Sequence, residues 1–436
     1  MGGLTAHLGC PTPRSRFISV KARAIIRPKM LPLDEIFVVD LSRILSGPLC
    51  TMLMGDMGAR VVKVEAPPYG DDSRRWGPPF VDDVSTYFLA ANRNKQSLGL
   101  NLKAPEGKEI LWKLLDRADV VVENFRPGVL ERLGFGYSEV QRRNERIIYC
   151  SVSGFGQTGP ARLRSGYDVV AQGESGLMDM TGYPDGPPAK MGTSMADIVA
   201  GMYAFQGILL ALLARHRTGK GQAIDISLLD GMVSTLTYLA TSYFATGRSP
   251  KRAGTKHPSI VPYEAFRAKD GYVNIGATNE KQWVNLCSAL GFPELASEPR
   301  FATPADRLIH YDELRPLIDA AVSKMTRDEA MKRLIEFDIA VGPVNTVAEI
   351  LADPQIHARE MVAELTHPEY GPFRFLGIPI KMSDTPGALR TAPPRFGEHN
   401  RAVLLDLGLT DSAVTALTAA KVIYAASPSA SMVADT

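Results

Sequence analysis

Hydrophobic and polar positions follow one rhythm in the first half of the chain and another in the second. Short, continuous apolar runs recur from Ile36 to Ser227: IFVVD, RVVKVE, SLGLNL, VVVEN, IIYCSVS and QAIDIS. Each is rich in β-branched residues and bounded by polar or glycine-bearing turns, which is how strands buried on both faces read. Helical spacing fills the gaps. PLCTMLMGDMG opens with Pro48 and stops at Gly58, Ala104 to Asp116 carries Pro105 in its first turn, and PGVLERLG is a short third helix. Strands alternating with helices predict an α/β chain with a Rossmann-like parallel sheet.

The most apolar segment is Ile198 to Ala214. It is shorter than the ~20 residues a bilayer needs and carries Gly201, Gln206 and Gly207, so it predicts a buried core helix and not a membrane span. Leu228 to Gly247 reads as one long amphipathic helix ending at its glycine. The pattern then becomes helix plus hairpin. Asp270-Gly271 between two strand-like runs predicts a tight hairpin, helical segments run to about Ala340, and AVGPVNTVAEILADP returns to strand, loop and helix. The change of rhythm near residue 226 predicts a second, smaller domain.

Composition narrows the function classes. The chain has 436 residues, 45% hydrophobic and 22% charged, with a net charge of +2. These values suit a globular protein and argue against a nucleic-acid binder. Cys10, Cys50, Cys150 and Cys287 are scattered and form no CxxC pair, and the seven histidines form no HExxH motif. Neither a disulfide scaffold nor a metal site is expected. The first 33 residues carry Arg14, Arg16, Lys21, Arg23, Arg27 and Lys29 and no acid before Asp34, which predicts a mitochondrial transit peptide over 1–33. The small, polar end, 426–436, predicts a disordered tail without a peroxisomal signal.

Candidate chemistry concentrates between Ile147 and Pro188, where a buried strand gives way to a long glycine-rich stretch. Gly154, Gly156 and Gly159 spell G-x-G-x-x-G after that strand. A dinucleotide fingerprint needs a helix to begin inside it; Pro160 and ARLRSG follow instead, so a tight turn is expected. Asp185, in YPDGPP, is either a turn cap or a carboxylate nucleophile near glycine N–H groups. Asp168 and Asp197 each precede or open a helical run and read as caps. No Ser-His-Asp or Cys-His arrangement is apparent. Basic residues follow several strand ends (Lys63, Arg74, Arg75, Lys103, Arg126 and Arg132 among them), which suits a ligand bearing several phosphates.

DLSRILSGP, GDMGARVVKVE, NRNKQSLGLNLK, VVENFRPGVLERLGFGY, YCSVSGFGQTGP, GYDVVAQGESGLMDMTG and HRTGKGQAIDISLLD together resemble the family III CoA-transferases, the CaiB/BaiF type, from about Leu33 to Val422. The resemblance implies a Rossmann-like large domain built from both chain ends (34–225 and 335–425), a smaller α+β middle domain (226–334) and an interlocked homodimer. It implies acyl-CoA and carboxylic acid substrates, with the CoA thioester a substrate, no tightly bound cofactor, and no nucleic-acid or membrane partner. GDDSRRWGPPF and GTKHPSIVPYEAF look most like the branch that exchanges CoA between succinyl-CoA and glutarate in the mitochondrial matrix.

Residue by residue, the resemblance puts the nucleophile at Asp185, by ungapped counting from GYD onto the W-D-G-P-P loop of formyl-CoA transferase; Asp168 and Asp197 stay open because that loop varies. It implies CoA contacts at Leu45, Ser46, Leu100, Asn101, Leu102, Lys103, Asn124, Phe125, Arg126, Arg132, Ser153, Gly154 and Phe155. Ala66 stands where formyl-CoA transferase has an adenine-side arginine, and Arg74 and Arg75 are the candidates to substitute for it. Lys256 and His257 are expected to meet the far carboxylate of a dicarboxylic acid. A racemase on the same fold carries a histidine where this chain has Tyr167, which disfavours proton transfer at an α-carbon. A dehydrogenase and a non-catalytic CoA scaffold are the other readings.

Overall fold

In the computed structural model, which describes residues 30–81 and 83–426, the six apolar runs pair side by side. They are β1 (Phe37–Asp40), β2 (Arg60–Glu65), β5 (Lys95–Leu100), β6 (Val120–Glu123), β7 (Ile148–Ser153) and β8 (Ala223–Ser227), with a small ribbon of β3 (Phe80–Val81) and β4 (Val84–Ser85) between the second and third. The remaining strands are β9 (Tyr263–Ala268), β10 (Gly271–Gly276), β11 (Ala340–Pro343), β12 (Val362–His367), β13 (Gly371–Leu376) and β14 (Ile423–Tyr424). The seven-stranded sheet has the order β14-β5-β2-β1-β6-β7-β8. All its pairs are parallel except the edge pair of β14 with β5. The result is a mixed α/β fold around a parallel central sheet.

Neighbouring residues on each strand feed opposite layers, as a pleated strand requires. Val38, Val61, Val120 and Ile148 point to one core, shared with the helices Ser46–Asp56 and Met195–Thr218. Val39, Val62, Val121 and Tyr149 point to the other, under the helices Pro105–Arg117 and Asn400–Asp406. A third core, around Phe266, Val273, Trp283, Leu286, Leu314 and Leu334, fills the space between the β9–β10 hairpin and its helices. β11 joins that hairpin antiparallel to β10.

Two helices depart from expectation. Leu228 to Gly247 is not continuous: helices Leu228–Ser234 and Thr237–Thr246 are separated at Thr237, whose φ is +44°. A β-branched residue in left-handed backbone ends a helix, and no Gly or Pro announces it. Met195–Thr218 is long and apolar enough to cross a membrane by length and composition alone. Here it lies against the sheet on a stripe of Ala196, Ala200, Ala204, Ile208 and Ala211, while Met202, Leu210 and Leu213 stay exposed. It is therefore buried on one face only, not throughout. The predicted transit peptide and tail fall almost wholly in 1–29 and 427–436, outside the described residues.

Candidate active site

The order β5-β2-β1-β6-β7-β8 reverses direction between β1 and β6, and open parallel sheets bind ligands in the crevice at such a switch point. The loops leaving β1 and β6 are tied together there. Asn124 Oδ1 accepts the Arg43 N–H at 2.8 Å, and its Nδ2 donates to Arg43 O at 2.7 Å. Ile44 sits at φ +70°, a strained conformation for a β-branched residue, and its N–H donates to both Asp71 oxygens at 3.1 and 3.2 Å.

Buried charge underlies this seam. Lys63 Nζ lies 2.8 Å from Asp71 Oδ2 and donates to Ser42 O at 2.8 Å; Lys95 Nζ lies 3.1 Å from Asp40 Oδ2. Arg74 grips both oxygens of Glu65 at 2.7 Å. Burial alone would raise the Asp40 carboxyl, but Lys95 and Lys63 hold it below the usual carboxylate range; Lys63 does the same for Asp71. Three acids and three bases thus fix the turn that carries Arg43 and Ile44.

Two cavities open from the seam and share Arg43 and Phe125. One, of about 490 Å³, is lined by Ala66 and Leu100 to Lys103. The other, of about 380 Å³, reaches Ser46, Ser153, Asp168 and Asp197. Sharing these residues they form one trough, whose larger, outer part carries Lys103 and whose smaller, inner part carries two carboxylates.

Asp168 reaches the trough because two glycines let backbone cross backbone. A Cβ on Gly154 would stand 2.5 Å from Gly166 Cα, so residues 155–165 loop out and return to the sheet edge just before Asp168. No helix starts inside G-x-G-x-x-G; helix Asp168–Glu174 begins only at the aspartate. Asp168 Oδ1 accepts the Ala196 N–H at 2.8 Å, and Oδ2 accepts Gln172 Nε2 at 2.8 Å. The Gln172 amide cannot turn over, since its Oε1 accepts the Met191 N–H at 2.9 Å. The two hydrogen bonds fix the direction of the carboxylate.

Asp197, in the first turn of Met195–Thr218, is pushed up to about 6 by burial and by the Asp168 charge, against a hydrogen bond from Ser46. That helix approaches Ser46 closely because residue 201 is glycine; a Cβ there would lie 2.7 Å from Ser46 O. Glu123, at the end of β6, is pushed up to about 7 by burial, opposed by hydrogen bonds from Ser151 and the Phe125 N–H. Ser153 Oγ is buried beside the inner cavity with no partner among the described residues, which leaves a donor for a bound molecule.

Ser46, Asn124, Phe125, Arg126, Ser153 and Gly154 line the inner cavity, and Leu100, Asn101, Leu102 and Lys103 the outer one. Asn124 lines it with an amide already spent on Arg43. Leu45, Arg132, Phe155 and Asp185 line neither cavity. Leu45 is half-buried; Arg132 is exposed on its helix; Phe155 lies under the Arg164 guanidinium at 4.6 Å. Asp185 is exposed on the 181–190 loop, which leans on residues 252–254 through Gly254 N–H to Gly182 O at 2.9 Å. Lys256 and His257 also stand outside both cavities. Lys256 Nζ sits 3.2 Å from the Tyr311 ring centroid, and His257 Nδ1 accepts Ser259 and Ile260 N–H. Arg74 is bound to Glu65 and cannot replace an arginine at Ala66; Arg75 lies over the Tyr69 ring. Sequence reasoning overlooked Gln172, although D-V-V-A-Q places it one helical turn after Asp168. It also overlooked Arg43, Tyr87 and Arg162, which carry no local signal.

Comparison with known proteins identifies the family. The model of CoA-transferase family III matches residues 33–400. The chain is 41% identical over 381 residues, 87% of each chain, to succinyl-CoA:glutarate CoA-transferase of Mus musculus. It is also 41% identical over 375 residues, 85% of this chain and 95% of the other, to acetyl-CoA:oxalate CoA-transferase of Acetobacter aceti. A crystal structure of a CaiB/BaiF family protein from Brucella suis superposes with a TM-score of 0.79 at 42% identity, covering 87% of this chain and all of that one. A match along most of the chain, with relatives this similar over nearly their whole length, establishes that the chain belongs to CoA-transferase family III and is a CoA-transferase.

Proposed function

We propose that the protein exchanges CoA between succinyl-CoA and a dicarboxylic acid such as glutarate, with Asp168 as the nucleophile in place of Asp185. The Asp168 carboxylate attacks the thioester carbonyl and the CoA thiolate leaves, giving a mixed anhydride. The thiolate then attacks the Asp168 carbonyl, forming an aspartyl-CoA thioester and releasing succinate. Glutarate reverses both steps and leaves as glutaryl-CoA. One thioester is exchanged for another and the intervening anhydride keeps the acyl group activated, so the exchange needs neither ATP nor a metal. The protein's part is to position the reactants and to meet developing charge with fixed donors.

One observation carries this reading. Asp168 is fixed in direction by hydrogen bonds from Ala196 and Gln172 in the cavity that shares Arg43 and Phe125 with the one carrying Lys103, whereas Asp185 is exposed outside both. The outer cavity, with Lys103, suits the phosphate-bearing end of CoA. The succinate and glutarate assignment rests on the mouse relative. The oxalate enzyme at equal identity supports a second reading, the same chemistry with a different acid. An interlocked homodimer follows from the family resemblance and is supported by the uncovered Met202, Leu210, Leu213, Tyr238 and Phe244. The basic, acid-free first 33 residues support a mitochondrial matrix location.

The test is to trap the intermediate. Succinyl-CoA is added, then hydroxylamine or borohydride, and the modified peptide is mapped by mass spectrometry. Modification at Asp168 is expected, together with loss of exchange in Asp168→Asn and its retention in Asp185→Ala. Modification at Asp185 or Asp197 overturns the assignment. Rates over glutarate, adipate and oxalate identify the acceptor.

A further inference from the structure

Four arginines line the inner cavity: Arg43, Arg126, Arg162 and Arg164. Two are committed within the chain. Arg43 pairs with Asp72 at 3.0 Å and lies 5.3 Å from the Phe125 ring centroid. Arg164 bonds both oxygens of Glu174, at 3.2 and 2.5 Å, and covers the Phe155 ring. Arg126, also without a carboxylate partner among the described residues, follows Phe125, which lines both cavities, and so stands at their junction, where the proposed CoA chain would pass. Arg162 is left. Its guanidinium has no carboxylate partner among the described residues. Its main chain is fixed by Arg162 N–H to Gly159 O at 3.4 Å, and the following turn by Arg164 N–H to Ala161 O at 2.9 Å. A fixed backbone thus presents an exposed cationic side chain to the cavity from the loop that leads to Asp168.

We propose that Arg162 selects dicarboxylic acids by binding their far carboxylate while the near one reacts at Asp168. This rests on the reading of the protein as a dicarboxylate CoA-transferase. The cavity already holds Asp168 and Asp197, so a dianionic acid entering it meets like charge, and a cation must offset that charge for the acid to remain. Guanidinium suits the task because its planar fork binds a carboxylate through two parallel hydrogen bonds. Lys256 and His257, which the sequence suggested for this role, lie outside the cavity. A monocarboxylic acid of equal length offers Arg162 only a methyl group, and a guanidinium left unpaired rejects it.

The experiment compares glutarate with valerate as acceptors, succinyl-CoA being the common donor, so that the donor's contribution cancels in the ratio of kcat/KM values. In Arg162→Ala, the preference for glutarate over valerate should fall at least ~10-fold, the scale of one charge-assisted hydrogen bond. It should fall through the KM for glutarate, with valerate nearly unchanged. Arg162→Lys should recover part of the preference, as a general structural role would not allow. An unchanged preference in Arg162→Ala, or an equal loss with both acids, overturns the proposal while leaving the wild-type reaction standing. Wild-type enzyme that uses no dicarboxylic acid overturns both this proposal and the reading beneath it.

Discussion

Replacing Gly154 by alanine tests whether the backbone crossing is what aims Asp168. The new Cβ would meet Gly166 Cα at 2.5 Å, against an ordinary contact of about 3.4 Å, so the two segments must part by about 0.9 Å. Gly154 does not have a positive φ, so alanine suffers no backbone strain there and the effect is steric. Overpacking of this kind costs about 1–3 kcal/mol of stability. Asp168 lies two residues beyond the crossing, and a misplacement near 1 Å costs a well-aligned reaction about 10²-fold in rate, or about 2.7 kcal/mol of barrier. The assay is kcat for CoA exchange, followed by chromatography of the thioesters, with thermal unfolding measured in parallel. Gly159→Ala is the matched control: it lies in the same loop at φ +80° with nothing within 4 Å of its Cβ, so it should lose stability but little rate. A folded Gly154→Ala enzyme whose kcat stays within about threefold of wild type would refute the reasoning.

Other substitutions probe neighbouring features. Gln172→Leu removes a donor whose orientation Met191 fixes; kcat should fall about 10-fold with the KM for acyl-CoA nearly unchanged, in a steady-state assay. Glu123→Gln should stabilise the protein at pH 8 and lose that advantage by pH 4. The folded carboxyl titrates near 7, above the unfolded value of 4.5, so wild-type stability is fully present below about 4.5 and lost as pH rises through about 7; chemical denaturation at the two pH values measures the difference. Lys95→Met strands Asp40 in the interior and should destabilise by about 3–5 kcal/mol in urea titrations, without altering the acid preference of whatever enzyme remains folded.

The large sheet was legible because parallel strands covered on both faces need apolar residues at every position. VVVEN and IIYCSVS could hardly be anything else. The hairpin at Asp270-Gly271 was legible from its turn chemistry. The proposed nucleophile was not. Asp185 stands among prolines and glycines that look like a built loop, while Asp168 looks like an ordinary helix start. What distinguishes them is Ala196, 28 residues away, and the meeting of Gly154 with Gly166, and local sequence shows neither contact. The helix break at Thr237 was hidden as well: it lies in a positive φ at a β-branched residue, with no Gly or Pro to announce it.

The six-charge network under the seam has a consequence for descent. Asp40, Asp71 and Glu65 answer Lys63, Lys95 and Arg74 in the interior, so changing any one of them alone leaves a buried charge unanswered. Lineages can leave this arrangement only through paired changes, and most single mutants will be lost on the way. The exposed arginines and loops above it carry no such restraint. Inheritance therefore locks the platform beneath the proposed thioester site and frees the rim above it, so if that rim chooses the acid, one scaffold can be refitted to new acids by single steps at its edge.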